Sequence, residues 1–256
     1  MTLVLRELAV GYRGTRGAVL SGLSLHASSG AFVCILGRNG AGKSTLMRTI
    51  AGLQPALGGV ATLAGESVER MHPAARARRI AVVLTERPFS PGLRVEDVVV
   101  LGRQPFTDWR GNLTSDDRRL ADDALERTGA SIFVGRYFND LSDGERQRVM
   151  IARAIAQTPT LMVLDEITAF LDLPGRVEVM SLLRRHAHAS GSIVLLSSHD
   201  LDLSLQLADT VWLLDGRGGV HVGSPDELVN GGRIGEAFDT DEVAFSRVRG
   251  RFELRS

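Results

Sequence analysis

The sequence predicts an α/β protein in which a largely parallel sheet carries a glycine-rich turn and is interrupted by a mainly helical insert. Three observations carry that expectation. Apolar runs bounded by turn residues recur at 3–10, 31–36, 80–84, 161–164, 192–196 and 210–214, with the length and composition of buried strands. Helical patterns at 176–189 and 200–207 separate the later runs, which is the alternation of an α/β sheet. Between about 91 and 156 that rhythm breaks, and the candidates at 95–101, 116–127 and 143–157 are all helical, with no strand pattern among them.

Residues 31–36 form an unbroken apolar stretch, as expected of a strand buried on both faces. Gly37-Arg38-Asn39-Gly40-Ala41-Gly42-Lys43-Ser44-Thr45 follows directly, and residues 44–51 can open a helix behind it. This strand–turn–helix order fits the frame GxxxxGK[ST], in which successive backbone N–H groups form an anion-binding concavity and an ammonium reaches the outer phosphates of a nucleotide. Composition sharpens the assignment. Lys43 is the single lysine among thirty basic residues; the other twenty-nine are arginine. Arginine's wide, planar fork seeks bidentate partners, whereas this loop needs a point charge on a slim stem.

The run at 161–164 ends in Asp165 and Glu166, at the end of an α/β sheet where ligands bind. An apolar strand closing on an aspartate suits Mg²⁺ binding, with Asp165 acting through water and Ser44 ligating directly. Glu166 can polarise an attacking water as a general base. Ser142 and Glu145 have capping-box spacing before a helix whose Val149, Ala152 and Ala156 share one face; a serine-capped helix start is also an anion site. Of six histidines only His199 ends an apolar strand, where its imidazole could touch a phosphate and orient water. His186 and His188 are expected on a solvated helix end, while His26, His72 and His221 accompany no motif.

The remaining composition bounds the function. At 256 residues the chain can bury a substantial core. Its formal charge is zero with both signs mixed, which argues against a nucleic-acid surface. Arg247, Arg249 and Arg251 alternate like the solvated face of an edge strand. Cys34 is alone and cannot form an internal disulfide, as fits a reducing cytosol. No apolar run approaches the roughly 18 residues of a membrane span, and the N-terminus lacks a signal-like pattern.

Taken in order, Gly37–Thr45, Leu141-Ser142-Asp143-Gly144-Glu145 and 161–166 resemble the Walker A, LSGGQ signature and Walker B motifs of ABC-type ATPases. Further matches surround them. Tyr12 resembles the aromatic residue that stacks on adenine, Ala169-Phe170-Leu171-Asp172 the D-loop, and Ser197-Ser198-His199-Asp200 the switch histidine. The resemblance implies a P-loop NTPase (RecA-like) core with an N-terminal antiparallel β subdomain, at 1–90 and 157–240, a helical subdomain at 91–156 and an extension at 241–256. It implies ATP and Mg²⁺ as cofactors, with Tyr12, Gly37, Arg38, Asn39, Gly40, Ala41, Gly42, Lys43, Ser44 and Thr45 binding nucleotide. Ser142, Gly144 and Asp172 would serve the ATP of a second copy, so the chain would work as a homodimer.

The resemblance also implies a place on the cytoplasmic face of the plasma membrane, attached to polytopic permease subunits near the helical subdomain and served indirectly by an extracytoplasmic substrate-binding protein. Residues 98–105 resemble the corresponding stretch in ATPases of siderophore, haem and cobalamin importers, which points to an iron chelate as cargo. Import of haem or cobalamin and an ABC ATPase acting without a membrane subunit are the alternative readings; a P-loop kinase or small-molecule transferase, and an exporter ATPase, are further classes. Three positions depart from the family pattern. Thr85-Glu86 replaces the usual glutamine, and an oxygen of either is expected to take its metal-facing role. Asp143 replaces a glycine and is expected to point away from phosphate, and Ile167 replaces a proline with little expected effect on chemistry.

Overall fold

In a computed structural model the described residues are 1–14, 17–84, 92–169 and 171–255. Along the chain, β1 (Thr2–Tyr12) and β2 (Gly17–Ser28) precede β3 (Phe32–Leu36), α1 (Lys43–Ile50), β4 (Gly58–Leu63), β5 (Glu66–Ser67), α2 (Pro73–Arg79) and β6 (Ile80–Val83). The helices α3 (Val95–Val100), α4 (Ser115–Arg127) and α5 (Asp143–Ala156) come next. Then follow β7 (Leu161–Asp165), α6 (Leu173–Ser190), β8 (Ile193–Ser197), α7 (Leu201–Leu207), β9 (Thr210–Leu214) and β10 (Val220–Gly223). Two short helices, α8 (Pro225–Asn230) and α9 (Arg233–Phe238), lead to a closing hairpin of β11 (Val243–Ser246) and β12 (Arg251–Leu254).

The central sheet has the order β10-β9-β3-β8-β7-β6. Its five inner and far strands run parallel, and β10 adds an antiparallel edge. Period-two alternation sends the two faces of β3 to different cores. Phe32, Cys34 and Leu36 join Val149 of α5 and Met180 and Leu183 of α6. Val33 and Ile35 join Leu46, Met47 and Ile50 of α1, together with Leu3 and Leu5. Cys34 is fully buried, and burial pushes its thiol up to about 12, so it stays an inert apolar filler. The second sheet, β2-β1-β4-β5, is antiparallel. Along β1 the buried apolar side chains are Leu3, Leu5, Leu8 and Val10; the phase slips between Leu5 and Leu8, where Glu7 takes φ of 47° in a bulge.

The described part of the insert is helical, as expected. Thr114 caps α4 through a reciprocal bond with Asp117, and Ser142 caps α5 in the same way with Glu145. Arg103 ties these helices together from inside. Its buried guanidinium donates to Asp117 Oδ1 at 2.9 Å, to the Ala156 carbonyl at 2.9 Å and to Thr158 Oγ1 at 3.2 Å, and it lies 3.9 Å from the Phe106 ring centroid. Bonds from Thr114, with Arg103 adding to them, hold the Asp117 carboxyl down to about 2. An ion pair this dry is tolerable because its hydrogen bonds are met on both sides.

Arg247 and Arg249 lie in the turn between β11 and β12, where Gly250 takes φ of 63°, so the alternating arginines do not form one strand face. His186 is buried on the core side of α6, not solvated at a helix end; His188 remains half-exposed with Nε2 2.8 Å from Asp209 Oδ2. Burial, aided by the Arg127 charge, pushes His186 down to about 4 from 6.5. The unfolded chain therefore binds a proton that the folded chain refuses as pH falls from about 6.5 to 4, and stability drops by about 3 kcal/mol across that window. Urea midpoints of wild type and His186→Leu at pH 7 and pH 4.5 test this: the variant should lose less stability on acidification, and an identical loss would acquit His186. No helix among the described residues is long and apolar enough to cross a membrane.

Candidate functional site

Because β3, β7 and β8 are parallel neighbours, their C-terminal ends meet at one edge of the sheet, and that edge carries Leu36, Asp165 and Ser197. The turn from β3 into α1 lies there. Gly37 takes φ of 154° and passes so close to β9 that a Cβ would sit 2.9 Å from the Leu214 carbonyl oxygen. Gly42, at φ of 101°, has Val19 Cγ1 2.8 Å from where a Cβ would lie. A side chain at either place would need both a disfavoured backbone and a displaced neighbour. Gly42 is also the N-cap of α1, where no side chain caps the helix and no acid lies in its first turn. The first N–H groups of that helix are thus left to an anion.

Lys43 is buried, with Nζ donating to the Gly37 carbonyl at 2.9 Å and to that of Arg38 at 3.3 Å. Burial pushes its pKa down, and the nearby Glu166 and Asp165 charges oppose that shift. These backbone bonds hold the ammonium across the mouth of the loop. Tyr12, Asn39, Gly40, Gly42, Lys43, Ser44, Thr45 and Glu166 line one open cleft of about 250 Å³. Tyr12 is half-exposed at its rim, its hydroxyl 3.4 Å from Thr45 Oγ1. Arg38 turns elsewhere: its guanidinium donates to the carbonyls of Ala237, Phe238 and Asp239 and so closes the end of α9. Only the backbone of Arg38 belongs to the loop.

Asp165 is buried at the end of β7, while Glu166 turns out with φ of 51°. Glu166 Oε1 lies 2.7 Å from His199 Nε2, so the acid and the imidazole form one unit beside the cleft. Ser197 lies between the two carboxylate-bearing residues, donating to Asp165 Oδ1 at 2.6 Å and accepting the Glu166 N–H at 2.9 Å. Ser197 belongs to the stretch that resembles the switch-histidine motif, but the sequence assigns it no role of its own, since a serine closing a strand carries no periodic signal. The oxygens of Ser44 and Asp165 are hard donors, and no group of three His, Cys, Asp or Glu among the described residues could form a cage of their own. That set fits Mg²⁺, which keeps several waters and takes one or two protein ligands plus substrate phosphate. Thr85 and Glu86 lie outside the described residues, as does Phe170.

Ser142, Gly144 and Asp172 do not line the cleft. Ser142 caps α5 and Asp172 caps α6, accepting the Gly175 N–H at 3.0 Å. Asp143 pairs with Arg146 on its own helix at 3.3 Å, which offsets its charge beside that helix start. Ile167 is buried in the core below the Glu166 turn, an apolar anchor at the position of the absent proline.

The family model described as ABC transporter matches residues 20–169. Among curated relatives, an achromobactin transport ATP-binding protein of Dickeya dadantii is 35% identical over 92% of this chain and 87% of its own length. A hemin import ATP-binding protein of Streptomyces coelicolor is 36% identical over 90% of this chain and 81% of its own. A cobalamin import ATP-binding protein of Halobacterium salinarum is 39% identical over 93% of this chain and 59% of its own. Among solved structures, cbiO1 of Clostridium perfringens, part of the ABC transporter complex cbiONQ, superposes with a TM-score of 0.78 at 27% identity, covering 91% of this chain and 92% of that one.

Proposed function

Since the chain belongs to the ABC transporter family, and is the ATPase subunit of an importer that couples ATP hydrolysis to transport, we propose that its cargo is an iron–siderophore complex. The relative named for achromobactin transport supports that cargo, as does the likeness of residues 98–105 to siderophore-importer ATPases. Haem and cobalamin are the alternatives, favoured by the other two relatives.

The hydrolytic assignment rests on one observation above others: Glu166 shares a cleft with the phosphate loop and is held by His199 at 2.7 Å. In this reading the loop amides and Lys43 bind the phosphates, and Tyr12 stacks on the base at the rim. Ser44 and Asp165 would hold Mg²⁺, which when bound would supply charge neutralisation for the phosphates. An oxygen of Thr85 or Glu86, which lie outside the described residues, would take the metal-facing role of the family glutamine. Glu166 accepts a proton from the attacking water, and His199 keeps Glu166 and that water in line. Little covalent chemistry is asked of the protein, so positioning and fixed charge do most of the work.

Ser142, Gly144 and Asp172 stand outside this chain's cleft, which supports a head-to-tail homodimer in which each copy completes the other's site. The insert, residues 91–156, is the segment we assign to permease docking, and we assign 241–256 as a C-terminal extension, one that packs on the core through Phe245 and Phe252. Peripheral attachment to the cytoplasmic face of the membrane follows from that docking, with a substrate-binding protein acting on the far side and no nucleic acid involved. Tagged Glu166→Gln, solubilised in detergent with ATP and Mg²⁺ from its native host, should carry with it a polytopic membrane protein identifiable by mass spectrometry. Uptake of radiolabelled iron–siderophore should then depend on both genes. Recovery of the intact dimer with ribosomal or DNA-repair proteins would instead favour an ATPase working without a membrane subunit, and uptake of haem or cobalamin alone would change the cargo.

A further inference from the structure

We propose that Ser197 is a positioning residue for hydrolysis, setting both the carboxylate that holds the metal and the backbone from which the general base projects. The proposal rests on the reading of Asp165 and Glu166 given above. Ser197 closes β8 directly opposite Asp165 of β7 in the parallel register, and its side chain is fully buried. A hydroxyl has one proton to give and lone pairs to receive with, and both capacities are used. It donates to Asp165 Oδ1 at 2.6 Å, the short distance of a bond to an ionised acceptor, and it accepts the N–H of Glu166 at 2.9 Å.

Each bond settles a different degree of freedom. The first fixes rotation of the Asp165 carboxylate about its terminal torsion, which is otherwise broad. The second supports Glu166 in a left-handed conformation, φ of 51°, that a non-glycine residue adopts only under constraint. With the Glu166 backbone held there, its carboxylate reaches His199 at 2.7 Å. One hydroxyl on a rigid strand thereby links metal holder, general base and switch histidine. An apolar residue in its place would leave a buried carboxylate oxygen and a backbone N–H each short of a partner.

The test compares Ser197→Ala with the near-isosteric pair Ser197→Thr and Ser197→Val in the purified full chain, with Glu166→Gln run alongside. Thr and Val bring the same added bulk and differ in the hydroxyl, so their comparison separates chemistry from packing if Ala alone folds poorly. Expected for Ala is a kcat lower by about 10- to 100-fold and a raised Mg²⁺ concentration for half-maximal rate, with the KM for ATP within about twofold of wild type, in line with the loss of a partner behind a metal ligand. Thr should exceed Val in kcat by at least about tenfold. A wild-type kcat and Mg²⁺ dependence in Ala, equal rates in Thr and Val, or a lowered melting temperature with kcat retained would each overturn the proposal. If Glu166→Gln is inactive while Ser197→Ala is normal, only this inference falls; if Glu166→Gln turns over normally, the reading of the site falls with it.

Discussion

Glu166→Gln should bind ATP with near-native affinity and hydrolyse it at least about a hundredfold more slowly, the loss expected when a positioned general base is removed. The substitution keeps size and shape, and the amide still reaches His199, so the cleft formed by Tyr12, Lys43, Ser44 and Thr45 is left intact. What disappears is the proton acceptor. Binding and chemistry therefore separate, and a chain that closes around ATP but cannot cleave it should accumulate as a dimer. Single-turnover phosphate release measures the first effect, and gel filtration with and without ATP the second. Turnover near the wild-type rate would remove Glu166 from the mechanism and leave its contact with His199 as a structural pair.

Lys43→Arg should abolish most activity although the charge is kept. Nζ is buried and donates to two loop carbonyls, of Gly37 and Arg38. A guanidinium brings a wider planar head and five donors to a slot shaped around three. Either the loop opens or the head turns out of it, and both misplace the charge relative to the phosphates. ATP affinity should fall by at least tenfold, about 1.4 kcal/mol, and hydrolysis by more, because the ammonium serves the transferring phosphate as well as the bound one. Calorimetric titration with ATP reads the first quantity. Affinity and rate unchanged in Lys43→Arg would show that any cation suffices there, and the lone lysine in an arginine-rich chain would need another explanation.

How far the site could be read in advance depended on the range over which each residue's role is specified. The loop at Gly37–Thr45 is a local object: strand, glycine spacing and helix start lie within a few residues, and the structure places them as expected. The cap at Ser142 is equally local, bonding three residues ahead; that at Asp172 has the same reach, but the structure reveals it, the sequence having offered Asp172 only as a D-loop match. The arrangement of Ser197 is not local, because its partners Asp165 and Glu166 lie 32 and 31 residues earlier and reach it only through the register of β7 and β8. Arg38 was grouped with the nucleotide-binding residues by its place in the loop, yet its side chain closes α9 about 200 residues later. His186 was misjudged for a related reason: its helix has a weakly separated apolar face, and packing against the sheet decided which side was covered.

By itself the sequence determined the phosphate loop, the strand end bearing Asp165, the turn after β8 bearing His199, the helical character of the insert and the ABC ATPase resemblance. All but the resemblance, which rests on the residues and order of the motifs, arise from periodicity, glycine conformation and capping, all of which act over a turn or a strand length. Only the tertiary structure decided which side chains share the cleft, which hydroxyl holds the two carboxylate-bearing residues, and which termini stay outside. Strand order and register bring distant residues within hydrogen-bonding reach, and that depends on how elements pack rather than on how any one of them forms.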